Sequence, residues 1–568
     1  MSLTRLSVKF AGESGQGINT VGKLLSKALN QHGYKTFSYR EYPSLIKGGV
    51  ASYQIDFSNK LINSSSRNCN ILLTSSTESI IHYLNTVSQN GILIHGSKDL
   101  NFSQEQEEHI KRNNISVIYL DSVELAIKAG GTEIMSNAAI LGFLWRILNL
   151  DVEILIEIIL EHFKSKNIDL EAEKKVILAG HTSPSYRPEL SERINIPKLE
   201  LLKQRSINIS GNDALSLGAI SCGVRAYYGY PMTPATSIFK FLGNTANDTG
   251  ILVKQAENEI TAIHMAMGSM HMGTRALVAT SGGGFDLMTE TISCAGMTET
   301  PLVVVLSQRA GSGTGVPTWT GASDLQLAVT PSHGEFPRCV LSASDANSSY
   351  TLIQKAFNIA EQYQLPVILL TEKQISESIF SLPSLPKNIP IERGLSTGDL
   401  RYEITDSGIS PRWIPSKDKK PYISNSDEHT EDGTSTDDSQ EVIQMADKRA
   451  RKQETLMNEI PEPTLYGSKN SEIVFVGWGS VKNVMTDLIS TRDDITYLHY
   501  EYIYPLKTAL LSDLIKQGKR LILAENNQTG QLGKLLSQET GFLFKEKVLK
   551  YDGRPFFLED ILDFLNSQ

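Results

Sequence analysis

RALVATSGGGFDLMTETISCAGMTETPLVVVLSQRAG, residues 275–311, reads as a strand, a glycine turn, a helix and a second strand that is apolar along its whole length. Short, wholly apolar strands separated by helices are what a parallel sheet covered on both faces requires, because neither face alternates toward water. Working outward, ILVKQ before this stretch and LPVILLT after it repeat the strand pattern, and a helix is expected from Glu257 to Met272. Residues 205–385 are therefore predicted to form one α/β layered domain.

The same alternation recurs on both sides. LSVKFAG, the turn ESGQG and INTVGKLLSKALNQHGY form a strand, turn and helix, and ASYQIDF, NILLTS, GILIHG and ISVIYLD are further strands of an α/β domain over 1–190. Between Pro184 and Pro197 the periodicity lapses into a linker. From 386 to 470 the composition shifts. SDEHTEDGTSTDDSQE, residues 426–441, carries seven carboxylates and no Lys or Arg, which predicts an extended, solvated acidic linker before a charged helix, EVIQMADKRARKQETLMNEI. EIVFVGWGS, ITYLHYEYIYP and RLILAEN then predict a third α/β domain over 471–568.

With 568 residues, 40% of them hydrophobic and 21% charged, the chain has material for several cores. A formal charge of -9 and no long Lys/Arg block exclude a surface built for nucleic acid. Cys69, Cys222, Cys294 and Cys339 are too far apart for a CxxC pair or an iron-sulfur ligand run, so four reduced cysteines are expected and any cluster lies elsewhere. The N-terminus lacks the apolar core of a signal peptide and no stretch reaches the ~20 apolar residues of a membrane span, so the expected location is cytoplasmic.

Several motifs carry chemistry. GESGQG, residues 12–17, lies where a strand becomes a helix, a place for an anion or for a tight turn that needs glycine; its spacing is GxxGxG rather than the GxGxxG of a dinucleotide site. SLIKGGVASY sets Lys47 beside a second glycine pair. Glu257 and Glu259 stand where a short strand meets a helix and point about 200° apart, so one can face inward and the other solvent; both are also first-turn carboxylates favoured by the helix dipole. Gly282–Gly284 clear side chains from a turn after a strand, and Arg309 follows a buried strand, suited to clamp a carboxylate or to form a salt bridge. In YPMTP, residues 230–234, Pro231 and Pro234 stiffen an uncharged loop.

Together, YPMTP, QAENE, SGGGFDLMTE, QRAGSGTGVPT and HGEFPR resemble the 2-oxoacid:ferredoxin oxidoreductases, in the form where gamma and alpha parts are fused in one chain. GESGQGI with KGG resembles the gamma domain, and GWGS, ENNQTGQL and YDGRPF resemble the alpha C-terminal domain. The resemblance implies a multidomain α/β protein: a gamma-type domain, a thiamine-diphosphate pyrimidine-binding-type domain and a transketolase C-terminal-like domain. It also implies coenzyme A-dependent oxidative decarboxylation of a 2-oxoacid with electrons passed to ferredoxin. SDEH, preceded by SGISPR, resembles the 2-oxoglutarate class; pyruvate or a broad range of 2-oxoacids is the alternative.

By the same resemblance this chain supplies the pyrimidine half of the thiamine site. A beta subunit supplies the diphosphate half, Mg2+ and a [4Fe-4S] cluster, in a heterodimer or dimer of heterodimers, and the chain alone is inactive. Glu257 matches the glutamate that contacts the pyrimidine ring nitrogen, Thr233 a donor to the substrate carboxylate, and Arg309 the opposing cation. Lys47, Arg338 and residues of the partner subunit are candidates for a second carboxylate of 2-oxoglutarate, and the sequence does not rank them. The loop departs from the family at Met232 and Ala235, and the gamma turn at Ser14. A noncatalytic partner, or an NAD-binding oxidoreductase using GESGQG, is the competing class.

Overall fold

A computed structural model describes residues 5–45, 48–166, 168–199 and 206–567, which fall into two units. The first comprises 1–209, 378–384 and 557–568. LSVKFAG lies in its strand Arg5–Glu13, parallel to Cys69–Thr74 and antiparallel to Val50–Ser58. The eight-stranded sheet runs Ser116–Tyr119, Val87–His95, Cys69–Thr74, Arg5–Glu13, Val50–Ser58, Lys35–Glu41, Ile379–Leu382, Ile207–Ser210. The last three strands are short or mixed in composition, INIS for Ile207–Ser210 and IFSL for Ile379–Leu382. Much of their burial is through polar side chains that bond one another: Thr36 N–H donates to Ser381 Oγ at 2.8 Å, and Asn208 Oδ1 accepts from Asn30 Nδ2 and from Ser381 Oγ, each at 2.9 Å.

The second unit, 210–377 with 385–556, holds two sheets. The larger runs Tyr502–Tyr504, Cys339–Ser342, Pro366–Glu372, Leu302–Gln308, Ala276–Thr280, Ala226–Gly229, Leu252–Gln255, and only the first pair is antiparallel. Leu302 to Leu306 are all fully buried, as a parallel strand covered on both faces requires. One cover is the helix Ala346–Tyr363, begun by a reciprocal cap between Asp345 and Ser348. Against it lies Gly211–Ser221, whose Gly218 leaves room for the Tyr350 carbonyl: a Cβ there would sit 2.4 Å from that oxygen. The small residues of this helix serve close packing.

The five-stranded sheet runs Thr464–Gly467, Ile495–Tyr500, Ile473–Trp478, Arg520–Glu525, Glu546–Leu549. The stretch expected to be a solvated linker is in part anchored. Asp432, Asp437 and Asp438 do face solvent, but His429 is fully buried with its ring 4.3 Å from that of Tyr402, and Glu428 accepts from Arg449 at 2.9 Å. The charged helix, Ser439–Glu459, sends Lys448 and Lys452 into the interior, where both pair with the buried carboxylate of Glu299. Burial through ion pairs leaves no hydrophobic period, so the sequence pattern did not register it.

Candidate active site

Four neighbouring parallel strands of the seven-stranded sheet end on the same side, and each is followed by a motif singled out above. Ala226–Gly229 leads into YPMTP, Leu252–Gln255 into Glu257, Ala276–Thr280 into the three glycines, and Leu302–Gln308 into Arg309. The carboxyl edge of an open parallel sheet is where such folds bind ligands.

Arg309 reaches across two strands. Its Nη1 donates to the main-chain oxygen of Thr233 at 3.1 Å, so the contact engages the carbonyl of the loop and not the hydroxyl. The guanidinium is partly buried, and burial lowers its pKa while Asp324 opposes that shift. From beneath, the fully buried Asn212 donates to the Pro234 carbonyl at 3.0 Å and to Ser237 Oγ at 2.7 Å. The Thr233–Pro234 peptide is cis. A buried amide has no hydrophobic signature, so Asn212 went unnoticed in the sequence.

The two glutamates divide as their spacing allows. Glu257 is exposed; Thr261 Oγ1 donates to its Oε1 at 2.7 Å, and this bond with a backbone N–H holds the carboxyl below its ordinary range. Glu259 is 3% exposed and begins the helix Glu259–His271, which Asn258 caps by accepting from Thr261 N–H. Its Oε1 lies against the glycine turn: a Cβ on Gly284 would be 2.4 Å from that oxygen and 2.1 Å from Thr280 Oγ1. Tyr230, Leu252 and Ile260 are exposed apolar side chains from the elements bordering Glu257.

Asp324, which sequence reading missed, stands over the same edge. Its Oδ2 would be 3.1 Å from a Cβ on Gly282. Arg338, by contrast, is corrected by the structure. It precedes Cys339, at the amino end of a strand parallel to those of the site, and its Nε and Nη1 donate to the carbonyls of Val329 and Phe336 at 2.5 and 2.9 Å. That is the end of the sheet opposite to the one that carries Arg309. Lys47 lies outside the described residues.

In the first unit, GESGQG forms a turn with Gly15 and Gly17 at φ 102 and 78, closed by Gln16 Oε1, which accepts from Glu13 N–H at 2.9 Å and Ser75 Oγ at 2.7 Å. It borders a cavity of about 580 Å³ whose wall includes Glu173, a carboxyl 5% exposed and pushed up to about 7 by burial. Among the described residues, no group of three His, Cys, Asp or Glu side chains could hold a metal ion, and no helix is long and apolar enough to cross a membrane.

Comparison with known proteins bears on this arrangement. Residues 7–183 match the family described as Pyruvate ferredoxin/flavodoxin oxidoreductase, and residues 217–448 the one described as Pyruvate flavodoxin/ferredoxin oxidoreductase, thiamine diP-bdg. The chain is 32% identical to the 2-oxoacid:ferredoxin oxidoreductase subunit alpha of Sulfolobus sp, over 99% of this chain and 96% of that protein. It is 41% identical to the 2-oxoglutarate synthase subunit KorA of Methanothermobacter marburgensis over 29% of this chain and 44% of the relative. The structure of 2-oxoglutarate:ferredoxin oxidoreductase from Magnetococcus marinus, with 2-oxoglutarate, coenzyme A and succinyl-CoA bound, superposes with a TM-score of 0.89 at 26% identity, covering 99% of each chain.

Proposed function

The chain belongs to the 2-oxoacid:ferredoxin oxidoreductases, and on that premise we propose that it is the fused gamma-alpha subunit of an enzyme converting 2-oxoglutarate and coenzyme A to succinyl-CoA. The observation that carries the reading is the meeting of Thr233 and Arg309 beside Glu257 on one sheet edge, within the thiamine diphosphate-binding domain. The whole-chain likeness to an enzyme solved with 2-oxoglutarate bound, and the KorA relatives, favour 2-oxoglutarate over pyruvate.

The residues fit the cofactor. Glu257 is an accessible carboxylate with one oxygen bonded by Thr261, so it can meet a ring nitrogen and share a proton with it at its carboxyl oxygen. When bound, thiamine diphosphate supplies the nucleophilic carbon and the electron sink that decarboxylation needs. Arg309 holds the substrate carboxylate with the N–H groups that Thr233 O leaves to it, and the Thr233 hydroxyl adds a neutral donor; the cation offsets the cost of taking that carboxylate out of water. Pro231 and Pro234 keep the loop from yielding as it does so.

In the proposal a beta subunit covers the exposed Glu257 edge and brings the diphosphate half, Mg2+ and the [4Fe-4S] cluster, and ferredoxin takes the electrons. The test is coenzyme A-dependent reduction of ferredoxin or viologen by this chain co-expressed with its beta subunit. 2-Oxoglutarate turnover abolished by Arg309→Ala is expected. Equal rates with pyruvate would overturn the substrate, and an intact complex with no thiamine-dependent rate would overturn the reading.

A further inference from the structure

We propose that Asn212 is a positioning residue of the site: by holding the carbonyl next to Thr233 from inside the protein, it fixes where the Thr233 hydroxyl meets the 2-oxoacid carboxylate. The inference rests on the reading of Thr233 as a donor to that carboxylate.

Two of the five residues in YPMTP are prolines and have no N–H, so the loop is short of donors for its own carbonyls. Met232 O accepts from Thr236 N–H at 3.1 Å, but the next two carbonyls are served by side chains from elsewhere. Thr233 O accepts from Arg309 Nη1 at 3.1 Å and Pro234 O from Asn212 Nδ2 at 3.0 Å, so the two peptide groups that follow the Thr233 α-carbon are gripped in turn. The Thr233 hydroxyl is bonded to none of the described residues and is left for a ligand. The two grips differ. Arg309 is long, half-buried and has a ligand to hold, whereas Asn212 is short and fully buried. Its helix, Gly211–Ser221, is capped by Ser210, whose hydroxyl accepts from Asp213 N–H at 3.1 Å, and packs so closely that a Cβ on Gly211 would be 2.2 Å from the Ile375 carbonyl. Ile375 lies in the helical turn Lys373–Glu377, directly after the strand Pro366–Glu372, so Asn212 ties the loop to the body of the sheet.

The amide is oriented by its partners. A proline carbonyl can only accept, so Nδ2 faces Pro234 O and gives its second hydrogen to Ser237 Oγ at 2.7 Å. Oδ1 then points away and, though buried, has no hydrogen-bond partner among the described residues. A buried acceptor without a donor is a cost that a leucine of similar size would not carry, so fold stability does not account for an amide here. What the amide adds is two N–H groups, and both go to residues 234–237, the segment that immediately follows Thr233. Without them Pro234 O is unheld and the Thr233 hydroxyl swings with the loop, so a bound carboxylate loses a preset donor. Coenzyme A, which carries no carboxylate, loses nothing.

The experiment is steady-state kinetics of the assembled enzyme, co-expressed with its beta subunit, with KM read separately for 2-oxoglutarate and coenzyme A. It compares wild type, Asn212→Leu, Asn212→Ala in case leucine disturbs the helix, Thr233→Val, and the double variant Asn212→Leu/Thr233→Val. Both Asn212 variants should raise KM for 2-oxoglutarate roughly three- to tenfold and leave that for coenzyme A within about twofold. Because Asn212 acts through Thr233, the double variant should match Thr233→Val within about twofold. An unchanged KM in the Asn212 variants, effects that multiply in the double variant, or equal rises in both KM values would overturn the inference and leave the reading of Thr233 intact. So would a complex that assembles with neither Asn212 variant, since the residue would then serve folding. If Thr233→Val keeps the wild-type KM for 2-oxoglutarate, the reading of Thr233 fails and the inference falls with it.

Discussion

Arg309 Nη1 and the Thr233 main-chain oxygen, 76 residues apart in the chain, meet at 3.1 Å across the carboxyl edge of one parallel sheet. The bond uses the planar fork of arginine, which reaches a carbonyl on one side while keeping donors for an anion on the other. Arg309→Lys retains the charge and loses the fork. Lost hydrogen bonds to a charged group are worth about 1.5 to 3 kcal/mol, so kcat/KM for the 2-oxoacid should fall roughly 10- to 100-fold in the assembled enzyme, mostly through KM. A lysine variant with wild-type kinetics would show that the fork is not used.

The three glycines are not equivalent. Gly284→Ala drives a methyl group into Thr280 Oγ1 and the buried Glu259 carboxyl, whereas a Cβ on Gly283 meets nothing within 4 Å. Overpacking of this kind costs about 1 to 3 kcal/mol, so Gly284→Ala should lower the thermal unfolding midpoint and activity together, with Gly283→Ala near wild type in stability. Equal midpoints for the two variants would refute the packing assignment.

Glu299 has φ 48, the left-handed region that costs a non-glycine residue about 1 to 2 kcal/mol, and it is fully buried between Lys448 and Lys452. The two ammonium groups hold its carboxyl well below the usual range, while burial brings Lys452 down to about 8. Glu299→Gln leaves two buried cations with no anion and should destabilise by about 3 to 5 kcal/mol. Lys452→Met leaves Glu299 with Lys448 and should cost less. Denaturant unfolding of both variants checks the order. Because Glu299 ionises more readily folded than unfolded, its contribution is present above the ordinary carboxylate pKa and is lost only as pH falls far below it.

Glu173 has the opposite sign. Its carboxyl ionises with more difficulty folded, near 7, than at its ordinary 4.5, so its protonated form favours the fold and stability is lost as pH rises through that window. Glu173→Gln removes the ionisation and should be stabilising by on the order of 2 to 3 kcal/mol at pH 8, with little effect at pH 4.5. Melting temperatures at the two pH values measure it; a variant less stable at pH 8 would mean that the carboxylate form is bound by something in the native protein.

Much of the second unit was legible because its strands are continuous apolar runs and the motifs sit directly after them. Thr233, Arg309, Glu257 and the three glycines all fall on one sheet edge for that reason. What escaped was polar burial. Asn212 under the loop, Asn30, Ser381 and the Glu299 ion pairs are inside without being hydrophobic, and Asn208 and Asp324 are half-buried beside them or over Gly282. Their partners lie tens to hundreds of residues away, and no period of 2 or 3.6 announces them. Arg338 failed as a candidate for a related reason, since only the strand direction says which end of a sheet a residue occupies.

The first unit is assembled from three stretches of chain, with Ile379–Leu382 laid antiparallel on Lys35–Glu41 and Arg67 paired at 2.8 Å with both Asp560 and Asp563. A protease that nicks the backbone between residues 209 and 378 therefore does not free the N-terminal fragment. The ladder still joins the pieces, and the nicked protein should run as one particle on gel filtration and as separate bands only after denaturation. A gene cut at the same place would leave Lys35–Glu41 as a bare edge, so that the N-terminal piece produced alone would gain a new place to stick to itself.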